Sequence, residues 1–293
     1  MIYVITGPTN TGKDRIAIEL AKRLGGEIIN ADAFHVYRQL KIGTNKPREE
    51  DFQGVKHHLF EIVGVDENYS IARYQKEART IIDELLAKNI PIIMLGGSGL
   101  YIKAALYDYH FKEEPTVDMS AYEKLDNLSL YNALKAVDEK AAVAIHFNNR
   151  RRVLRALQIY RAQGNKKSDI PINKDCDPIY ETLFFGINFD RADLYLRIVD
   201  RVERMIAEGL FAEVKALIDE YGPHRQALLA IGYKESIAYL QGKMTKEEAI
   251  DAIIINTRHY AKRQITFVRH QFPMHWINTV DDIIEMGKNG KAS

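Results

Sequence analysis

Residues 7–16, GPTNTGKDRI, follow the apolar run IYVIT and open a helical pattern. The spacing Gly7-x-x-x-x-Gly12-Lys13, after a strand and before a helix, is the signature of a phosphate-binding loop found in nucleotide-binding and ATP-binding proteins. Thr9, Asn10 and Thr11 can turn backbone N–H groups toward a phosphate chain, and the helix that follows adds the positive end of its dipole. Lys13 then reaches the terminal phosphates as a point charge. At position 14, where such a loop carries a Ser or Thr hydroxyl, this chain has Asp14. A carboxylate beside phosphate is repulsive unless a divalent cation lies between them, and carboxylates ligate Mg²⁺. The other reading of Asp14 is a first-turn helix residue favoured by the dipole.

Outward from the loop, strands and helices alternate. DRIAIELAKRLG (14–25) puts Ile16, Leu20 and Leu24 on one helical face, and Gly25-Gly26 end it. EIINAD (27–32) predicts a second strand with Asp32 past its carboxyl end. Residues 70–89 predict a long amphipathic helix, and IPIIMLGG (90–97) a buried strand running into a Gly turn. This alternation implies a parallel sheet with helices on both faces, and ligands of such sheets bind outside the carboxyl ends of the strands. Lys13, Asp32 and Ser98 all fall at such ends and are read as one site. Asp32 is placed to accept a proton from an attacking nucleophile, or to cap the next turn.

The 293 residues suit one domain with an insertion, or two domains. Residues 112–146 carry no strand pattern and read as a small helical insertion, with 1–111 and 147–293 as the core. NNRRRVLRALQIYRAQG (148–164) predicts a basic helix. Residues 148–167 hold seven Lys or Arg and no acid, so Arg151, Arg152 and Arg155 point to phosphate-backbone contact. ETLFFGINFD (181–190) predicts a strand, 191–222 one or two helices, 246–272 a long helix and MHWINT (274–279) a last short strand. Arg258, Lys262, Arg263 and Arg269 lie on that long helix with no acid among them, and Tyr260 and Phe267 interleave with them. Arg201 is placed either to pair with Asp200 or Glu203, or to bind a ligand.

Composition excludes several classes. A hydrophobic content of 46% with 28% charged residues is soluble-globular, and the net charge of +1 requires any nucleic-acid site to be local. The single Cys176 forbids an internal disulfide, which suits the cytoplasm. The start of the chain has no basic leader, and no apolar run reaches the roughly 18 residues of a membrane span. His57 and His58 lack a third ligand at a zinc spacing. A phosphoryl-transfer enzyme would need an Asp ending an apolar strand to hold its metal, whereas PIIML ends in Gly96-Gly97-Ser98. That argues against a kinase or ATPase.

The segments GPTNTGKD, INADAFHVYRQLKIGTNKP, HHLFEI, PIIMLGGSGLYIKA, RRRVLRALQIY, LRIVDRVERMIAEGLFAEV, AIGYKE and TRHYAKRQITFVR resemble, in order, the motifs of the tRNA dimethylallyltransferases. The resemblance implies transfer of a dimethylallyl group from dimethylallyl diphosphate to N6 of the adenosine 3′-adjacent to the anticodon. The diphosphate would then lie on Gly7 and Thr9 through Asp14, with Asp14 holding Mg²⁺ and with Lys13 and Arg201 neutralising the leaving charge. Asp32 would orient N6 and take its proton. Asp32, Ala33, Phe34, His35, Ser98, Arg151, Arg152, Arg155, and Leu229 through Gly232, Tyr233 and Lys234 occupy the tRNA-contacting stretches. The resemblance also implies a monomer whose partner is the tRNA anticodon loop, the target base leaving its stack to react. Asp14, Ala33, His35, Ser98, Tyr122 and Leu229 depart from the family's usual residues. A small-molecule P-loop transferase (a kinase, or an enzyme prenylating free adenine nucleotide) and a tRNA-binding paralogue without turnover stay open as alternatives.

Overall fold

The computed structural model describes all residues except 110–116, 165, 170–176 and 290–293. Cys176 and the expected start of the insertion at 112 therefore lie outside the described residues. The chain forms two units, residues 1–108 with 177–293, and residues 109–176.

The first unit is built on six short strands: β1 (Ile2–Ile5), β2 (Glu27–Asn30), β3 (His57–His58), β4 (Ile92–Leu95), β5 (Thr182–Ile187) and β6 (Met274–Ile277). They pair in the order β3-β2-β4-β1-β5-β6, all parallel. Ile5 pairs with Leu95, and Leu95 with Asn30, so the carboxyl ends of β1, β4 and β2 lie side by side. Those three ends carry the glycine loop, Ser98 and Asp32.

Eight α-helices of this unit connect and cover the strands among the described residues. Before the second unit come α1 (Lys13–Leu24), α2 (Ile71–Ala87) and α3 (Gly99–Leu106). The second unit supplies α4 (Ser120–Glu123), α5 (Asn127–Val137), α6 (Glu139–Ala144) and α7 (Arg150–Gln163). The first unit resumes with α8 (Arg191–Ala207), α9 (Leu210–Tyr221), α10 (Tyr233–Leu240), α11 (Lys246–Gln271) and α12 (Val280–Asn289). One segment read as one or two helices is thus two, broken at Gly209.

Both sheet faces are buried, as a parallel sheet requires. Alternate residues Tyr3, Ile5, Ile28, Ile93 and Phe185 meet Ile16 and Leu20 of α1 and Ile283 of α12. On the opposite face Phe184 stacks on Phe272 at 4.8 Å and 8°, with Tyr107 alongside at 6.3 Å. Such an aromatic pair adds about 0.5–1.5 kcal/mol to the area it buries.

The second unit has its own core of Leu130, Leu134, Ala141, Ala142, Val153, Ala156 and Leu157. It includes α7, which the sequence reading placed in the main core from residue 147. The boundary moves because the apolar stripe of α7 packs on α5 and α6. Asp126 and Asp138 cap α5 and α6, accepting N–H bonds from Leu128 and Ala141 at 2.9 Å.

Candidate active site

Three backbone turns at the carboxyl ends of the strands make the site. The loop after β1 bends through left-handed conformations at Asn10 (φ 65) and Gly12 (φ 80) before α1 begins at Lys13. Gly12 caps α1 without a side-chain bond, which leaves the first N–H groups of the helix available. Thr11 Oγ1 donates to the Pro8 carbonyl at 3.0 Å, and Lys13 Nζ donates to the same oxygen at 2.6 Å. The loop is therefore closed on itself, with its lysine folded back over it.

The turn after β4 must approach the turn after β2 closely. A Cβ on Gly96 would lie 2.2 Å from the Ala31 backbone, so only glycine fits there. Ser98 N donates to Ala31 O at 3.1 Å, and Ser98 Oγ accepts the Ala33 N–H at 3.0 Å. Asp32 Oδ1 accepts the Phe34 N–H at 2.9 Å, an Asx turn that fixes its carboxylate. Asn30 braces the segment from below, accepting the Asp32 N–H at 2.9 Å and donating to Leu59 O at 2.9 Å.

Arg201 of α8 completes the cluster. Its Nη1 donates to Thr9 Oγ1 at 2.5 Å and Asn10 Oδ1 at 3.0 Å, and its Nη2 donates to Thr44 O at 3.0 Å. Asn10 Nδ2 donates in turn to the Arg197 carbonyl at 3.0 Å. Every acceptor of Arg201 is neutral, so the guanidinium keeps its full charge for a ligand. Neither Asp200 nor Glu203, weighed as partners from sequence, takes it.

The electrostatics couple these groups. Burial pushes the Lys13 ammonium below its ordinary pKa; Asp14 and Asp32 oppose that and Arg201 adds to it. Burial likewise lowers Arg201, against the pull of Asp32 and then Asp14. Two cations and two carboxylates thus share one pocket of field. Asp14 is exposed on the first turn of α1 and has no hydrogen bond or ion pair among the described residues.

Sequence reasoning missed Gln264, and it noted Tyr260 only as an aromatic residue between basic ones. Gln264 of α11 is buried, accepts the Thr9 N–H at 3.0 Å and donates to Gly97 O at 3.0 Å. Tyr260, one turn earlier, hydrogen-bonds Ser98 and Gln264, and burial followed by the Asp32 charge raises its pKa. Only the basic residues of this helix and the aromatics between them stood out in the sequence.

Some expected tRNA contacts sit elsewhere than expected. Tyr233 is fully buried, its hydroxyl bonded to Glu213, which also accepts the Ile42 N–H at 2.9 Å. Gly232 is buried against Gly43. These two hold the 42–44 loop and present no surface, so neither can be a direct contact in this conformation. Leu229 and Lys234 are exposed, while Ala33, Phe34 and His35 are half-buried beside Asp32. His35 Nε2 lies 3.3 Å from Thr44 O.

In the second unit Arg151, Arg152 and Arg155 are exposed on α7. Arg150 instead braces the unit, donating to Leu125 O and Glu123 O at 2.6 Å. Arg152 and Arg155 lie close enough to Lys167 to reinforce the lowering of its pKa by burial. The patch is a local concentration of positive charge. His57 and His58 form no metal cluster, and none of three or more ligands exists among the described residues. His57 stacks on Phe52 at 3.8 Å, and His58 bonds Glu27.

A parallel α/β sheet with a phosphate-type loop after β1, a carboxylate after β2 and an arginine from a later helix defines a P-loop-like transferase core. The family model described as IPP transferase matches residues 35–271, and the chain belongs to that family. The match begins after the loop and Asp32, but relatives cover both. The tRNA dimethylallyltransferase of Anoxybacillus flavithermus is 42% identical over 285 residues, covering 97% of this chain and 92% of that protein. The structure of the tRNA delta(2)-isopentenylpyrophosphate transferase of Staphylococcus epidermidis superposes with a TM-score of 0.74 at 34% identity, covering 98% and 99% of the two chains. A eukaryotic dimethylallyltransferase acting on tRNA gives 0.78 at 28% identity, with 96% of this chain and 74% of that one covered.

Proposed function

We propose that this chain transfers a dimethylallyl group from dimethylallyl diphosphate to N6 of the adenosine 3′-adjacent to the anticodon of tRNA. The observation that carries this reading is the shared field of Asp32 with Lys13 and Arg201: a base and two cations suited to a leaving diphosphate occupy one cluster. The N6 nitrogen forms a bond to C1 of the dimethylallyl group as the C1–oxygen bond breaks. The N6 proton passes to the Asp32 carboxylate, and the electron pair leaves with the diphosphate. Lys13, Arg201 and the loop N–H groups stabilise that growing charge, and they are fixed in place before the reaction begins. The Asx turn at Asp32 holds the base at one orientation.

Mg²⁺ fits the donors present. Asp14 offers one exposed carboxylate without a protein partner beside the loop, and Mg²⁺ takes one or two carboxylates together with substrate phosphates. When bound, the ion supplies further charge neutralisation for the diphosphate. The exposed arginines of α7 would hold tRNA phosphates. A chain with a single cysteine suits the reducing cytoplasm, and among the described residues no helix is long and apolar enough to cross a membrane.

The test is incubation with labelled dimethylallyl diphosphate, Mg²⁺ and total tRNA, with AMP as the rival acceptor. Label recovered in N6-modified adenosine of tRNA supports the reading. Label only in AMP assigns a small-molecule enzyme, and no label transfer to either overturns catalysis.

A further inference from the structure

Between the amino end of α8, the carboxyl half of α11 and β6 lies a cavity of about 540 Å³. Its wall carries Arg191, Lys262 and Arg269 together with Phe189, Tyr195 and Trp276, and no carboxylate. The volume falls within the range of sites that enclose small organic ligands. Lys262 and Gln264 are two residues apart on α11, about 200° around the helix. The cavity therefore opens on the opposite side of α11 from the face that meets the diphosphate loop.

The cations here are held by aromatic rings and not by acids. Arg269 lies over the Trp276 indole at 5.3 Å, and Arg191 over the Tyr195 ring at 5.4 Å. Arg191 also donates to the Tyr195 hydroxyl at 3.0 Å. Arg258 approaches the same ring at 5.2 Å, and its Nε is buried with no partner. The Lys262 ammonium has no hydrogen bond or ion pair among the described residues. Several cations gathered without an acid repel one another, and an anion relieves that repulsion. A guanidinium laid on an indole is also a flat cationic surface on which a heterocycle stacks. Phosphate alone would use only the cations, and a neutral ring only the aromatics. A ligand carrying both uses the whole wall.

We propose that this cavity is a nucleotide subsite separate from the diphosphate loop. It takes the phosphate on Arg191, Lys262 and Arg269 and the base against the Arg269–Trp276 stack. The nucleotide is either free or one unit of an RNA chain. The inference stands independently of the reaction proposed above, because it is read by binding in the absence of dimethylallyl diphosphate.

Trp276 is the only tryptophan of the chain, so its fluorescence reports this cavity alone. The full-length protein is titrated with AMP and, separately, with an anticodon stem-loop RNA. Adenosine and inorganic phosphate serve as partial ligands, and each should bind at least about tenfold more weakly than AMP. Lys262 and Arg269 are exposed, so the double variant Lys262→Ala/Arg269→Ala keeps the fold. It should raise the half-saturation concentration about tenfold or more, as loss of two charge-assisted contacts implies. Lys13→Ala, in the diphosphate loop, should leave quenching unchanged. Saturable quenching by AMP that the double variant weakens assigns a free-nucleotide site. The same behaviour with RNA alone assigns an RNA-borne nucleotide. No saturable quenching with either ligand overturns the proposal. So does quenching insensitive to the double variant, or abolished by Lys13→Ala.

Discussion

The side-chain oxygen of Gln264 accepts the backbone N–H of Thr9 at 3.0 Å, across 255 residues of sequence. The other end of the same amide donates to Gly97 O, so one side chain spans the loop after β1 and the turn after β4. A Cβ on Gly97 would lie 2.0 Å from Gln264 Nε2, which shows how little room the amide has. Gln264→Ala leaves two backbone groups without partners, at about 1–3 kcal/mol each if they stay dry. The expected result is a lower thermal midpoint and roughly tenfold or greater weakening of Mg²⁺-diphosphate binding, read by calorimetry. Unchanged binding would show that the loop keeps its shape without the bridge.

Asp32→Asn preserves the acceptor oxygen for the Phe34 N–H but removes the base. Turnover should fall by about 10² or more while tRNA affinity stays near the parent value. Single-turnover kinetics with saturating tRNA separates the two. Parent-like turnover would remove Asp32 from the proton-accepting role.

Asp14 gives a prediction with a sign. Its carboxylate strengthens attachment of a divalent ion and weakens diphosphate binding in the ion's absence. Asp14→Thr should reverse both: weaker Mg²⁺ or Mn²⁺ binding alone, and tighter metal-free diphosphate binding. Paired titrations decide it, and two unchanged affinities would make Asp14 a helix-terminal charge only.

Lys13 links binding to pH. Burial lowers its pKa in the free protein, and a bound diphosphate favours the ammonium, so binding raises it again. Below the lowered value the lysine is charged in both states and no proton moves. Above it, up to the value in the complex, binding takes up a proton and diphosphate affinity falls as pH rises. Calorimetry in buffers of different ionisation enthalpy measures that uptake as the pH is raised through the lowered value. Proton release there would contradict the sign.

Removing Arg151, Arg152 or Arg155 should each flatten the salt dependence of tRNA binding by roughly one charge. A triple Ala variant with the parent slope would mean that the α7 patch faces solvent in the complex.

Strands and helices with a clear period were legible in the sequence: β1, α1, β2, α2, β4 and α11 fall where their apolar spacing put them. Others were not, α10 and α12 among them. β3 is two residues long, too short for any alternation to register. α3 buries six of its eight residues, so it lacks the polar face that marks an amphipathic helix, and the spacing predicts none there. α7 was recognised as a helix but assigned to the wrong core, because an apolar stripe does not say what it will pack against. Lys13, Asp32 and Ser98 stand out in the sequence because each follows a strand, and the ends of those strands lie side by side. Gln264 was invisible because its partners are backbone groups, which leave no mark in side-chain pattern.

The order of strands in the sheet also bears on synthesis. β1 precedes the other described strands in the chain, yet it ends between β4 and β5, at residues 92–95 and 182–187. Until those arrive, the run IYVI has two unpaired edges and no cover, the kind of segment that joins other chains. One edge closes when β4 is made, and the other only after the second unit has been translated in between. The nascent chain thus carries a central strand unpaired for longer than the strands that flank it, and a chaperone acting on this protein would find its binding segment in the run IYVI.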